Sequence, residues 1–308
     1  MKKKISIEVK ITDRCNQKCF HCVNDDLVES GAVVHWRLFI EKLKKWVEGR
    51  EASLFEIPEV RMTGGEPMLY PDIIAEISRA CSELGIRSGI NTNGTLLDSP
   101  GLESLKEAGT SIVKISFDGL SRATYGKMRD AKFSPDEIIR GIDAAVKLGF
   151  GVILRYTLSR HNQSELLTCY QVARDFGAAK FQVKPLVEAG RARASNAFLT
   201  KDEVDRSIVE LENFVSGDEL VPEILCWLPR QSSRLRYSVC SSLNKIYLFT
   251  NLRVTICNYV PVTRYLGDLT AASLEDVLRA RKVDAWKSPE GQRIIMGCPN
   301  LAYFAQTT

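Results

Sequence analysis

Polar and apolar residues alternate along ISIEVKI (5–11), the mark of a strand with one buried face. Similar short β-branched runs return at IPEVRM (57–62), IRSGI (86–90), SIVKISF (111–117), GVILRYTL (151–158) and KFQVKPL (180–186). Between them, apolar residues recur at helical spacing near 36–49, 72–84, 99–108, 135–148 and 163–176, and Ser134 followed by Pro135 marks a helix start. Six βα units in succession predict a parallel sheet with helices outside it, either an open sheet or a barrel. Beyond about residue 190 the pattern changes to one helix at 201–215, a Pro-containing linker near 222–229, and then strand-like KIYLF and VTIC. The expected division is a βα domain over 1–190, a linker with a helix over 191–239, and a small α+β domain over 240–308.

Composition narrows this picture little. A chain of 308 residues is long enough for a full core. Its 42 Lys and Arg against 38 Asp and Glu are spread along the sequence, so the net charge of +4 does not point to nucleic acid. MKKK resembles the basic start of an export signal, but the alternating residues after it contain no apolar stretch of signal type. No run of about 18 apolar residues predicts a membrane span. Nine cysteines without a secretion signal predict metal ligation in a reducing cytoplasm rather than a disulfide framework.

Three of those cysteines, Cys15, Cys19 and Cys22, stand as C-x3-C-x2-C in TDRCNQKCFHC. Three thiolates this close suit three irons of a 4Fe–4S cube, and with no fourth Cys within reach one iron stays open to a ligand. The other reading is a zinc site completed by a residue such as His21. TGGEP (63–67) follows the second predicted strand, NTNG (91–94) the third, and SFDG (116–119) closes the fourth. All of these fall at carboxyl ends of strands, the face on which parallel barrels and open α/β sheets place their sites. Gly64 and Gly65 allow a close backbone approach to a ligand. Asp118 and Gly119 read as a turn pair, and Cys81 and Cys169 as core residues in apolar helices.

The cysteine run and TGGEP, with NTNG and SFDG in order behind them, resemble the radical S-adenosylmethionine (radical SAM) superfamily over roughly residues 5–190. The resemblance implies a partial (βα)6 barrel and a 4Fe–4S cluster on Cys15, Cys19 and Cys22. It also implies SAM bound at the open iron and cleavage to a 5′-deoxyadenosyl radical that abstracts hydrogen. It makes Gly64, Gly65 and Glu66 the receivers of the SAM amino group, and Asn93, Ser116 and Arg155 contacts to its ribose or carboxylate. His21 stands where the family often has an aromatic beside adenine, and packing under the cluster is the other reading. No residue is singled out as catalytic.

Cys240, Cys257 and Cys298, with the two-stranded YLFTNLRVTIC between the first pair, are similar to the twitch or SPASM auxiliary-cluster domains of that superfamily. Leu252 stands where the pattern expects Gly, and Leu301 where it expects a further Cys, so a single-cluster twitch-like domain is the better match. A second 4Fe–4S cluster is expected there, its last iron held by Cys226 or another side chain or by substrate; the other readings are a degenerate, empty site and three unrelated cysteines in a small β unit. Arg191 and Arg193 of VEAGRARAS (187–195) read as a solvated loop, with a grip on an acidic substrate as the other reading. The expected substrate is a ribosomally made peptide, alternatively a small molecule such as an aminocyclitol, sugar or nucleoside. Flavodoxin or ferredoxin is the expected reductant. Because the first strand begins by residue 5, a leader-peptide-binding partner is expected to be a separate protein. A reading from another class is a non-catalytic Fe–S or zinc interaction module.

Overall fold

The computed structural model describes residues 2–23, 31–97, 100–215, 217, 219–225, 234–238, 244–255 and 266–280. Cys226, Cys240, Cys257 and Cys298 lie outside the described residues. Strand β1 (Ser6–Lys10) leads to α1 (Trp36–Glu48), β2 (Glu59–Thr63), α2 (Pro71–Glu83), β3 (Arg87–Thr92) and α3 (Gly101–Glu107). Then follow β4 (Thr110–Ser116), α4 (Arg122–Met128), α5 (Pro135–Lys147), β5 (Gly151–Leu158), α6 (Leu166–Asp175), β6 (Lys180–Pro185) and α7 (Lys201–Phe214). All six strands expected from the alternating pattern are present. So is the helix start at Ser134, whose side chain and Glu137 form a reciprocal capping box.

Three-residue strands β7 (Glu223–Leu225) and β8 (Arg236–Ser238), the hairpin β9 (Lys245–Leu248) and β10 (Arg253–Thr255), and then β11 (Gly267–Asp268) and α8 (Leu274–Ala280) follow among the described residues. These eleven strands form one sheet in the order β8-β7-β6-β5-β4-β3-β2-β1-β9-β10-β11, and Lys3–Lys4 pairs with Phe55–Glu56 in a separate two-stranded sheet. Every pairing from β8 to β9 is parallel, and β10 and β11 are antiparallel.

Two consequences follow. The order β1 to β6 never reverses, so right-handed crossovers place their helices on one face, as in a barrel, whereas a doubly wound sheet needs a reversal of strand order. The segment expected as a plain linker near 222–229 instead begins with β7, which adds to β6, while β9 adds to β1. The sheet therefore runs past residue 190 on both edges.

The two faces differ sharply in chemistry. Ile7, Val9, Val60, Met62, Val113 and Leu154 are at 0% exposure within the main apolar core. Their neighbours along the strands, Glu8, Arg61, Lys114, Arg155 and Gln182, point to the opposite, inner face by the period-two rule. Closed parallel barrels fill their interiors with branched aliphatic side chains. This inner face is instead polar and charged, which suits a ligand better than a dry core.

Candidate active site

The loop after β1 carries Cys15, Cys19 and Cys22, and the turn after β2 lies directly against it. The Gly65 amide donates to the Thr12 carbonyl and the Glu66 amide to the Arg14 carbonyl, both at 2.8 Å. Gly64 has φ +154°, and a Cβ on Gly65 would lie 2.0 Å from the Arg14 carbonyl oxygen. The glycines are thus required by the contact between two backbones. Gly65→Ala is expected to push residues 12–14 away and to weaken metal retention on the cysteine loop about 10- to 100-fold, the range for supports of metal ligands. Metal analysis after dialysis checks it.

Glu66 is fully buried, and its carboxylate accepts from the Met68 amide at 2.9 Å, the Thr92 hydroxyl at 2.7 Å and the Asn93 amide at 2.8 Å. Burial raises its pKa, and these bonds oppose the shift. The carboxylate therefore ties the turn after β2 to the end of β3. Asn93 Nδ2 donates to Asn16 Oδ1 at 2.7 Å and lies 3.9 Å from Cys15 Sγ. Three loops at the carboxyl end of the sheet are joined in this way.

The thiols stand among donors. The Gln17 amide approaches Cys15 Sγ at 3.4 Å, and Arg129 Nη1 approaches Cys19 Sγ at 3.4 Å. Burial pushes the Cys15 thiol up to about 12 and raises Cys19, where Arg129 opposes the rise. Without a metal both are protonated at neutral pH; a bound metal would hold them as thiolates, with the nearby N–H groups already aimed at sulfur. Among the described residues, no three His, Cys, Asp or Glu side chains converge on a point fit for a single ion. A cube takes each thiolate at a different corner, so it does not need such convergence.

Arg129 also pairs with Asp118, which is at 0% exposure and accepts from the Thr157 amide at 2.7 Å. Asp118, expected only as a turn residue, thus sits between the end of β5 and the cation beside Cys19. His21 Nε2 lies 3.6 Å from Asp118, and its ring meets Phe20 edge-on at 5.8 Å. Burial first, and Arg129 next, lower the His21 pKa to about 4, so the imidazole is neutral under ordinary conditions.

Gly190 and Arg191 also belong to the site. The Arg191 amide donates to the Cys22 carbonyl at 3.0 Å, and its guanidinium Nη1 to the Cys19 carbonyl at 3.2 Å. Gly190 has φ +57°, and a Cβ there would lie 2.0 Å from the Cys22 carbonyl oxygen. The segment read as a solvated loop is a clamp on the cysteine loop, and only the Gly-Arg pair hinted at it. Arg129 had no local signal at all.

On the inner face, Ser116 and Arg155 are register partners on β4 and β5. Arg155 Nη2 donates to Gln182 Oε1 at 3.3 Å. Deeper in the sheet, Glu8 pairs with Lys245 at 3.0 Å. Burial would raise Glu8, but Lys245, Lys114 and Arg61 outweigh it and hold the carboxyl down at about 2. Thr250, between β9 and β10, donates to Asp13 of the cysteine loop at 3.3 Å, so the carboxyl-terminal hairpin reaches the site.

Residues 9–172 match the Radical SAM superfamily, and the chain belongs to it. Members of this superfamily are enzymes, and membership implies a 4Fe–4S cluster and SAM. The chain is similar to two proteins of Methanosarcina barkeri. It is 29% identical over 187 residues to an AdoMet-dependent heme synthase, covering 61% of this chain and 52% of that one. It is 32% identical over 213 residues to an Fe-coproporphyrin III synthase, covering 68% and 51%. The chain thus spans about half the length of the curated relatives it matches. In fold it is similar to Streptococcus suis SuiB bound to S-adenosylmethionine, with a TM-score of 0.75, 16% identity, and 92% of this chain and 67% of that one covered. No helix among the described residues is long and apolar enough to cross a membrane.

Proposed function

We propose that Cys15, Cys19 and Cys22 hold a 4Fe–4S cluster with one open iron, and that SAM binds there to support hydrogen abstraction from a substrate on the inner face. The observation that carries this reading is the clasp of the cysteine loop by Gly64–Gly65 on one side and Gly190–Arg191 on the other. When bound, the cluster supplies the electron that splits the sulfonium C–S bond of SAM to a 5′-deoxyadenosyl radical. Gly64 and Gly65 offer close backbone to the SAM amino group, and Glu66 acts by holding Asn93 in place. Asn93, Ser116 and Arg155 contact the ribose and carboxylate, the forked guanidinium suiting the latter. Arg129 steadies Cys19 as a thiolate.

Our substrate reading is a ribosomally made peptide. In its support, a SuiB complex of the same fold was solved with a precursor peptide. The second reading, a small molecule, is favoured by the charged inner face and by the names of the two Methanosarcina proteins. Residues 1–190 form the partial barrel in this proposal, 191–239 its extension, and 240–308 a twitch-like module with an auxiliary cluster on Cys240, Cys257 and Cys298. A flavodoxin or ferredoxin reduces the enzyme in the cytoplasm.

Anaerobic protein is expected to carry about eight irons, falling to about four in a Cys240→Ala, Cys257→Ala variant. With dithionite and SAM it is expected to form 5′-deoxyadenosine. Colourless, zinc-loaded protein that makes none of this product would place it with the non-catalytic metal modules.

A further inference from the structure

Below Ser116 and Arg155, the inner face holds a cation that the proposed SAM contacts leave unused. Lys114 lies two residues before Ser116 on the same face of β4, about 6.6 Å nearer the amino end of the strand. It is 9% exposed; its backbone sits in the ladder between β3 and β5, and its ammonium makes no hydrogen bond or ion pair among the described residues. Its apolar neighbours Val113 and Ile115, both at 0% exposure, point to the helices, which fixes Lys114 toward the interior.

The charges around it do not balance. Burial pushes the Lys114 ammonium well below its usual range, Arg155 and Arg61 push the same way, and Glu8 opposes them. Glu8 already has Lys245 at 3.0 Å, and Arg61 pairs with Glu59. Arg155 has an amide oxygen of Gln182 as its partner, and its Nε has none. Lys114 thus shares the Glu8 carboxylate with Lys245 and Arg61, and Arg155 pairs with no carboxylate among the described residues, which leaves this face with more cations than it neutralises. A buried charge without a counter-ion is costly, and an entering anion removes that cost. Gly89 stands in register between Arg61 and Ile112 and leaves that stretch of the face without a side chain.

We infer that Lys114, with Arg61 in electrostatic reach, receives an anionic group of the substrate, a carboxylate or a phosphate, one layer beneath the SAM contacts. The inference rests on the reading that substrate occupies the inner face, and it narrows that substrate to an anionic one. Such a group would anchor the substrate and set which of its carbons faces the radical.

The test uses anaerobically reconstituted enzyme with SAM present and two probes, pyrophosphate and tricarballylate. Brief acetylation at neutral pH, read by peptide mass spectrometry, is expected to modify Lys114, and at least one probe is expected to suppress the modification saturably, about tenfold or more. Calorimetry is expected to show binding of that probe weakened about tenfold or more in Lys114→Met. Protection by pyrophosphate alone assigns a phosphate, and by tricarballylate alone a carboxylate. Protection by neither, or equal binding by a folded Lys114→Met, overturns the inference. The labelling needs only wild-type protein, so it decides the matter even where the variant does not fold. Formation of 5′-deoxyadenosine in the same preparation reads the underlying function separately: product without anion binding sinks the inference alone, and anion binding without product sinks the function alone.

Discussion

Cys19→Ser is expected to lose about a thousandfold in 5′-deoxyadenosine formation, about 4 kcal/mol of barrier, together with the brown colour and iron of the proposed amino-terminal cluster. Cys19 is the most buried of the three motif thiols, at 8% exposure, and its sulfur faces Arg129 at 3.4 Å and Gln17 Oε1 at 3.6 Å. A hydroxyl there is a far poorer ligand for iron, and the buried cation beside it loses its thiolate partner. The control is Cys81→Ala. Cys81 is also fully buried, and burial alone pushes its thiol up to about 12, but it lies in α2 within the apolar core. Its loss removes one small core side chain, at about 1 kcal/mol, and leaves the iron in place. Equal iron loss in the two variants would show that the motif thiols are no more than core residues.

The alternation that opens the chain made the central strands legible, because an element with one apolar face announces its period within a few residues. It does not announce what the other face meets. Glu8, Lys114 and Arg155 read as ordinary polar positions on strands, and only the unreversed strand order turns them toward one interior. Strands β7 and β8 escaped notice because three residues are too few to show a period, and their pairing depends on the edge that β6 exposes. Helix α4 (RATYGKM) is short and has no clear apolar stripe; it is started by Ser121, whose hydroxyl accepts from the Thr124 amide.

Within the site, the cysteines and Gly64–Gly65 were legible because spacing and turn chemistry are local properties of the chain. Gly190 and Arg191 were not. They meet the cysteine loop across about 170 residues of sequence, a contact that only the completed sheet brings about. Glu66 shows the opposite case, a residue expected to touch a ligand whose carboxylate is taken up by Met68, Thr92 and Asn93. Motif position led to this turn, and the hydrogen bonds within it show what holds the Glu66 carboxylate.

Arg129→Met is expected to destabilise the protein by about 3–5 kcal/mol, the cost of leaving one partner of a buried ion pair alone. Asp118 is at 0% exposure, and in the variant its Oδ2 would face the neutral His21 instead of a guanidinium. Met fills much of the volume but donates nothing to the carboxylate or to Cys19. At about 2–4 °C per kcal/mol for a chain of this size, the melting temperature falls by about 10 °C. Adding Asp118→Asn restores part of this, because losing both charges costs less than stranding one. It does not restore iron retention to the same extent, since the donor to the Cys19 sulfur is still missing. Thermal melts of the anaerobic single and double variants, with iron counted after dialysis, separate the two roles. A double variant no more stable than Arg129→Met would rule out the buried pair as the source of the loss. Full recovery of iron alongside stability would remove Arg129 from the support of Cys19.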